Sequence, residues 1–598
     1  MGSRSRQLVC QTVVLGLLCA LFLGQTWHAS RATSITFDET FFLGTALHTV
    51  RDHKLDPRLV AAGVAPVPVI LAYLPALAGE QGAERSNLWL GEMGDAQKIL
   101  RPRMMTAIVF GLPLIITMFL VVDRRCGFLA ATLAAGLLSG SPTILASGSL
   151  ATTDLAFGTA SFLAVLATAS WLDRPDQTRF VLWAAAIGIA IAAKYSGVFL
   201  LPVSGLFLAW KEWALLVGRR YGPISSHDWR RLSVKVLGKY LALLALAAGS
   251  CWFCHLLQTS GALKAVPFDQ TAEYSPWIKL LGKGPIAEAV MTFAHEWIPR
   301  PSPVEGIFFQ FQHSGWGHSA YLMGNFSKFG WWYFFPCAFA FKSTPVELAI
   351  TLFLIGVGIR AAIITRLHPG RIDPLSLTVV VSTVIFCGLM IASPLNLGQR
   401  YILPVYPLLI LLGIDQLVRK ISNRPVVLAT IAAGLLAGQV VSSRSVSSDF
   451  LVYFNSFCGG TSHGRWLLVD SSLDWGQGLK ELKRFQDDHP ERLALKYFGT
   501  ALPQDYGVRA FNVDEAPLDV DSVRYFAISA TYLQGDYTLE VDPFHPLRQL
   551  EADAKAGESI LIYDLEQPDR RKALAASLAK LPDSKTSGEF LRWTSWRE

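Results

Sequence analysis

Three carboxylates and three cations are placed along this chain where proton transfer and phosphate chemistry could be done. Asp38 and Glu39 lie side by side in Ser34-Ile35-Thr36-Phe37-Asp38-Glu39-Thr40-Phe41-Phe42, just past the first long apolar run. Asp154 follows two threonines at the head of another such run, and Arg103, Lys194 and Arg400 stand where further runs begin or end. Charges at membrane depth are costly and mark functional sites by default. A carboxylate facing a pocket can take the proton of an incoming hydroxyl. Cations held nearby can bind a phosphate and stabilise it as it leaves. Such a group suits a lipid phosphate that carries a sugar. The hydroxyl would attack the anomeric carbon from one face while the phosphate departs from the other, loosely as in an inverting glycosidase.

The elements that must position these groups are membrane helices. The 598 residues are 52% hydrophobic and only 17% charged, with a mean hydropathy of +0.36. A soluble protein carries roughly 25% charged residues. Apolar runs of about 17–22 residues recur, long enough to cross a bilayer. The fold class predicted is a polytopic α-helical membrane protein with about 11 spans. They are Leu8–Leu23, Met104–Val122, Phe128–Leu150, Thr153–Trp171, Val181–Ala193, Val198–Trp210, Leu241–Leu257, Val346–Ile364, Leu375–Ile391, Tyr401–Leu417 and Val426–Val441. No small-x-small cleavage site follows the first run, which predicts an uncleaved first helix. The net charge of +7 is mild, and its cations cluster in short loops (Arg124, Arg125; Arg219, Arg220, Arg230, Arg231; Arg366, Arg371; Arg419, Lys420). That is a topology signal and not a nucleic-acid signal. It puts those loops inside, and the carboxylates at the outer ends of their helices.

Two long outer stretches follow from this topology, about 28–103 and 259–345. The first holds the acid pair and a Pro-rich apolar segment, Val64–Ala78, predicted as helix pieces at the interface. The second holds Gln312-His313-Ser314-Gly315-Trp316-Gly317-His318, whose histidines are candidates for metal or sugar contact. It also holds Gly330-Trp331-Trp332-Tyr333-Phe334-Phe335-Pro336, which is expected to re-enter or to lie on the outer face. Cys251 and Cys254, inside an apolar run, are expected to be packing residues. Residues 1–445 form the membrane domain in this reading, and 446–598 a small outer α/β domain. Trp466–Asp470, Leu493–Phe498, Tyr525–Ser529 and Ile560–Tyr563 are predicted strands, with Asp474 capping a helix through about Phe485. Asp470, Asp474 and Trp475 are given structural roles in that turn.

The motifs resemble those of the membrane-embedded glycosyltransferases of the C-type superfamily, in the branch of protein O-mannosyltransferases and the aminoarabinose transferase of lipid A. The resemblance is carried by Asp38-Glu39, Thr152-Thr153-Asp154, Ala193-Lys194-Tyr195-Ser196-Gly197 and Gln399-Arg400-Tyr401-Ile402-Leu403-Pro404. Gly330–Pro336 with Lys342, and Val469–Gln477, are similar to a bacterial subgroup, so that about residues 1–500 are covered. The resemblance implies a polyprenyl-phosphate sugar donor used on the outer, periplasmic face of a bacterial inner membrane. It implies Asp38 as general base with Glu39 beside it, and Asp154 as a second acid that orients the acceptor or a cation. Lys194, Arg400 and Tyr401, with Arg103, would hold the donor phosphate, and His313, His318, Trp331 and Trp332 would meet acceptor or sugar. No cofactor is required, although a divalent cation between Asp38 and Asp154 is an open option. The acceptor stays open between a protein hydroxyl, a glycolipid and a polysaccharide. A transporter or flippase of lipid-linked sugar, or a non-catalytic assembly subunit, remains the alternative. No nucleotide-binding signature is present, which argues against direct use of a nucleotide sugar.

Overall fold

The computed structural model describes residues 3–53, 55–78, 95–217, 225–259, 284–292, 303–364, 373–446, 448–513, 518–535 and 542–581. Arg219, Arg220, Arg366 and Arg371, and residues 79–94, 260–283 and 293–302 of the two outer stretches, lie outside the described residues.

The chain is a polytopic helical membrane protein with a small sheet near its C-terminal end. Among the described residues, seven helices are long and apolar enough to cross a membrane: Arg6–Ala32, Gln97–Cys126, Asp154–Asp173, Tyr195–Val217, Ser226–His255, Pro374–Ala392 and Pro425–Arg444. Phe128–Ser139 and Pro142–Gly148 make an eighth if taken as one span bent by 60°. The bend falls at Gly140-Ser141-Pro142, where proline removes a donor and excludes the helical carbonyl before it. The other predicted spans fall on the helices Gln177–Ala193, Pro345–Ile364 and Val405–Ile421. Many large apolar side chains on these helices face outward, among them Leu17, Leu241, Leu352, Val384 and Val441. In water that surface would be costly; against lipid tails it is the solvated face.

Small residues let the helices approach closely. At Gly188, in Gln177–Ala193, an added Cβ would stand 2.2 Å from the Ala247 carbonyl oxygen of Ser226–Thr259. At Gly434 an added Cβ would meet nothing within 4 Å. Gly188→Ala is therefore expected to destabilise the solubilised protein by about 1–3 kcal/mol. Gly434→Ala should leave the thermal unfolding midpoint unmoved. Equal midpoints for the two variants would show that this crossing is not tight.

Ion pairs tie the bundle at the end far from the acid pair. Arg125 reaches Asp373 at 3.0 Å and Asp415 at 3.2 Å, and Arg419 reaches Asp415 at 2.8 Å. The Trp331-Trp332 segment does not span. It leads into a helix of nine residues, Phe334–Lys342, roughly 14 Å long. Before it, strands β1 (Ala320–Leu322) and β2 (Asn325–Ser327) form a hairpin. Pro66–Leu77, in the Pro-rich segment, is one helix of 12 residues with Pro75 inside it.

Five strands make the C-terminal sheet: β3 (Leu493–Lys496), β4 (Ala510–Asn512), β5 (Tyr525–Ser529), β6 (Ala554–Ala556) and β7 (Ile560–Asp564). Their order is β4-β3-β5-β7-β6, with β3 parallel to β4 and β5, and β7 antiparallel to β5 and β6. Three predicted strands are found here. The fourth is not: Trp466–Asp470 holds the end of a short helix, Gly464–Leu467, and the start of a 3-10 turn, Asp470–Ser472. Nor does Asp474 cap the next helix, Leu479–Asp488, which begins after Gly478. Residues 466–477 are held from two sides instead: Ser471 donates to the Leu397 carbonyl and the Lys342 ammonium to that of Ser472, while Thr531, just after β5, donates to Asp474.

Candidate active site

Glu39 is fully enclosed. Thr36 precedes the helix Phe37–Asp52, and its backbone N–H and hydroxyl both donate to Glu39 Oε2 at 2.9 Å. This is the capping box that Thr-x-x-Glu encodes, and it turns Glu39 inward. There Arg103 Nε donates to Oε1 at 2.9 Å, Arg103 Nη2 to Oε2 at 2.6 Å, and the Ala151 N–H to Oε1 at 2.7 Å. Burial disfavours the charged carboxylate, but Arg103 and these donors outweigh it and hold the pKa below the usual range. Arg103 in turn spends its remaining N–H groups on the carbonyls of Ser30, Thr33 and Ser34 and the Thr33 hydroxyl. Both side chains are 0% exposed. Arg103, expected among the phosphate holders, thus has its five donors taken, and Glu39, expected beside the base, has both oxygens filled.

Asp38, one residue earlier on the helix, turns the other way and is 33% exposed. Arg400 Nη1 donates to its Oδ2 at 2.7 Å and stands 3.8 Å from Asp154 Oδ2. Asp154, 3% exposed at the first turn of Asp154–Asp173, accepts from Lys194 Nζ at 2.6 Å and from the Thr152 hydroxyl at 3.2 Å. The result is an alternating row, Lys194–Asp154–Arg400–Asp38, whose four charges sum to zero. Burial disfavours the Arg400 cation, yet Asp38 and then Asp154 more than compensate and raise its pKa. Aromatic faces line the row. Lys194 Nζ lies 4.4 Å from the centre of the Tyr401 ring, and the Arg400 guanidinium 4.1 Å from Trp475.

Residues 475–506 hold this acid-bearing stretch from above. The Ser34 N–H donates to the Gln477 carbonyl at 3.0 Å, the Phe37 N–H to that of Trp475 at 2.9 Å, and the Ile35 N–H to the Tyr506 hydroxyl at 2.8 Å. Phe37 stacks on Phe498 with ring centres 5.6 Å apart. Asp474, fully buried, accepts from the Thr531 N–H at 3.0 Å, and burial pushes its carboxyl up to about 7. The sequence reading gave this loop a structural part and missed that Trp475 covers Arg400. A tryptophan amid small polar residues in Ser471-Ser472-Leu473-Asp474-Trp475-Gly476-Gln477 was the available signal.

The remaining candidates lie further out. The His313 and His318 rings are 6.1 Å apart, and burial, then His318, brings the His313 pKa down to about 4. The Trp331 N–H donates to Asn396 Oδ1 at 2.7 Å, while Trp332 is 68% exposed. Among the described residues no three His, Cys, Asp or Glu side chains converge as a metal site. Arg400 already occupies the space between Asp38 and Asp154, so a divalent cation does not fit there without displacing it.

Residues 99–222, which include Arg103, Asp154 and Lys194, match the family described as dolichyl-phosphate-mannose-protein mannosyltransferase. No curated protein sequence matches the chain. Among solved structures it is similar to ArnT from Cupriavidus metallidurans in the apo state, at 14% identity and a TM-score of 0.41, covering 94% of this chain and 98% of that one. The same enzyme bound to undecaprenyl phosphate gives 14% identity and a TM-score of 0.42, covering 92% and 97%. The resemblance read from the motifs is thus borne out over residues 99–222, which match that family's model.

Proposed function

We propose that this protein transfers a sugar from a polyprenyl-phosphate carrier to a hydroxyl acceptor on the outer face of the membrane, periplasmic in a diderm bacterium. Residues 1–445 form the transferase domain in this reading, and 446–598 the outer domain that roofs it. Asp38 is the general base. It takes the acceptor's proton as the acceptor oxygen bonds to the anomeric carbon. The bond from that carbon to the phosphate oxygen breaks, and its electron pair leaves with the lipid phosphate. Arg400 faces that departing charge, with Lys194 and Tyr401 beside it, and Asp154 keeps the two cations in place. Glu39 and Arg103 position the base without touching substrate.

The observation that carries this reading is the contrast between neighbours. Of the three acids, Asp38 alone has an exposed face, while the same Arg400 nitrogen reaches both it and Asp154. An accessible carboxylate beside a partly buried cation is what base and leaving-group stabilisation require together.

The test is transfer by purified protein in lipid, offered a panel of polyprenyl-phosphate sugars with peptide, glycolipid and polysaccharide acceptors. Turnover with one lipid-phosphate sugar, and none with nucleotide sugars, is the expected result. Movement of lipid-linked sugar across vesicles without transfer to any acceptor would replace the enzyme by a transporter.

A further inference from the structure

A cavity of about 30 Å³ lies beside Arg400, lined by Thr143, Ser147, Lys342, Gln399, Arg400 and Ser471 among others, none of them acidic. A water needs about 10–15 Å³ of such space, so there is room for a group of a few oxygens. Two cations and no carboxylate in the wall favour an anion there. The amide of Gln399 donates to the hydroxyl oxygens of Thr143, at 2.8 Å, and of Tyr406, and the Ser147 and Ser471 hydroxyls donate to the carbonyls of Thr143 and Leu397, so the donors left for an anion are those of the two cations.

Both cations lack something an anion would supply. The Lys342 ammonium is buried and donates to the carbonyls of Leu451 and Ser472, each at 2.6 Å, with the Phe454 ring centre 4.4 Å away. No carboxylate comes within ion-pair distance of it among the described residues. Burial pushes its pKa down to about 7, against the weaker pull of Asp449 and Cys458. A buried ammonium without a counter-charge is costly. On the other side, Arg400 Nε is buried and has no hydrogen-bond partner. The row from Lys194 to Asp38 sums to zero, so the net positive charge beside the cavity comes from Lys342.

We propose that this cavity seats the phosphate of the lipid carrier, held between the Lys342 ammonium and Arg400, with the Thr143 and Ser147 hydroxyls in its wall. The inference rests on the transferase reading and adds a residue and a place to it. It also gives the site a preference for the leaving group. The donor phosphate is a diester with one negative charge; once the sugar departs it is a monoester carrying about 1.5 to 2. A surplus cation binds the second more strongly than the first, and only such differential binding speeds the reaction.

The experiment compares binding of a polyprenyl phosphate and the matching polyprenol to the full-length protein, by native mass spectrometry from lipid discs. Wild type is set against Lys342→Met and Ser147→Leu. The second variant fills the cavity, and among the described residues the Ser147 hydroxyl bonds only to Thr143 O of its own helix, so no link between elements is cut. The expected result is a preference for the phosphate in wild type that falls at least tenfold in both variants, with millimolar inorganic phosphate competing only in wild type. If wild type prefers the phosphate and folded Ser147→Leu keeps that preference, the cavity is not the seat and the transferase reading stands. If wild type makes no distinction between phosphate and alcohol, both readings fall.

Discussion

Asparagine in place of Asp38 should lower sugar transfer by roughly 10²–10⁴-fold, the usual contribution of a positioned general base, and leave the fold intact. Asparagine keeps the shape of the side chain, and its carbonyl oxygen can still accept from Arg400 Nη1, now 2.7 Å from Asp38 Oδ2. What is lost is the capacity to take a proton. With Asp38 a third exposed, its ion pair contributes little to stability, about 0–1 kcal/mol for pairs of that kind. The unfolding midpoint should therefore barely move, and donor binding should persist. Asp38→Glu moves the carboxylate by one methylene and should keep a measurable fraction of the activity. Undiminished turnover in the asparagine variant would take Asp38 out of the chemistry, whatever the donor.

Glu39→Gln should do the reverse: its first effect is on folding. Removing one partner of a buried ion pair costs about 3–5 kcal/mol, because the other charge stays buried without compensation. Here the stranded group is Arg103, which is 0% exposed and fixed by three carbonyls as well as by Glu39. Glu39→Gln with Arg103→Met removes both charges and should recover much of the loss, read as the thermal midpoint of the solubilised protein. The pair also sets an acid limit. The Glu39 pKa is depressed in the folded protein, so its stabilisation is fully present above the unfolded value of about 4.3 and is lost as pH falls through the lower, folded value. A wild-type stability curve flat down to strongly acid pH would contradict that. A Glu39→Gln variant as stable as wild type would show that the pair is not buried as described.

How much of this could be read beforehand follows from what hydropathy encodes. Apolar runs announce membrane helices because lipid leaves few alternatives, and each predicted span falls on helical residues. Tyr525–Ser529 and Ile560–Asp564 were legible as strands because they are short runs rich in isoleucine and aromatic residues in a polar context, and Leu493–Lys496 because it leads into Tyr497-Phe498 as a short apolar run. Trp466–Asp470 looked the same and is not a strand, since a short apolar run gives no periodicity to decide by. At the site, residue types were legible and partners were not. Arg103 and Arg400 both read as cations near acids, but only the fold shows that Arg103 faces Glu39, 64 positions away, while Arg400 faces Asp38. Thr36-Phe37-Asp38-Glu39 did spell out a capping box. Reading it would have separated the inward acid from the outward one in advance.

The contacts between Ser34–Phe37 and the loop at Trp475–Gln477 have a consequence for how the protein is made. The acid-bearing stretch leaves the ribosome early, and the carbonyl that receives the Ser34 hydroxyl, Gly476 O, lies 442 positions later. At about 5–20 residues per second, roughly 20 to 90 seconds separate the two. During most of that interval Glu39 can close on Arg103 once the second span is in place, but Asp38 lacks Arg400 until residue 400 has been made and its roof until residue 476 has been. The newborn chain is thus a membrane protein well before its site is assembled, and a chain that stops short of residue 475 keeps its spans and never completes the site. On the transferase reading proposed above, sugar transfer would wait for residues 475–506, and truncated copies left in the membrane would carry the acid pair without its counterpart.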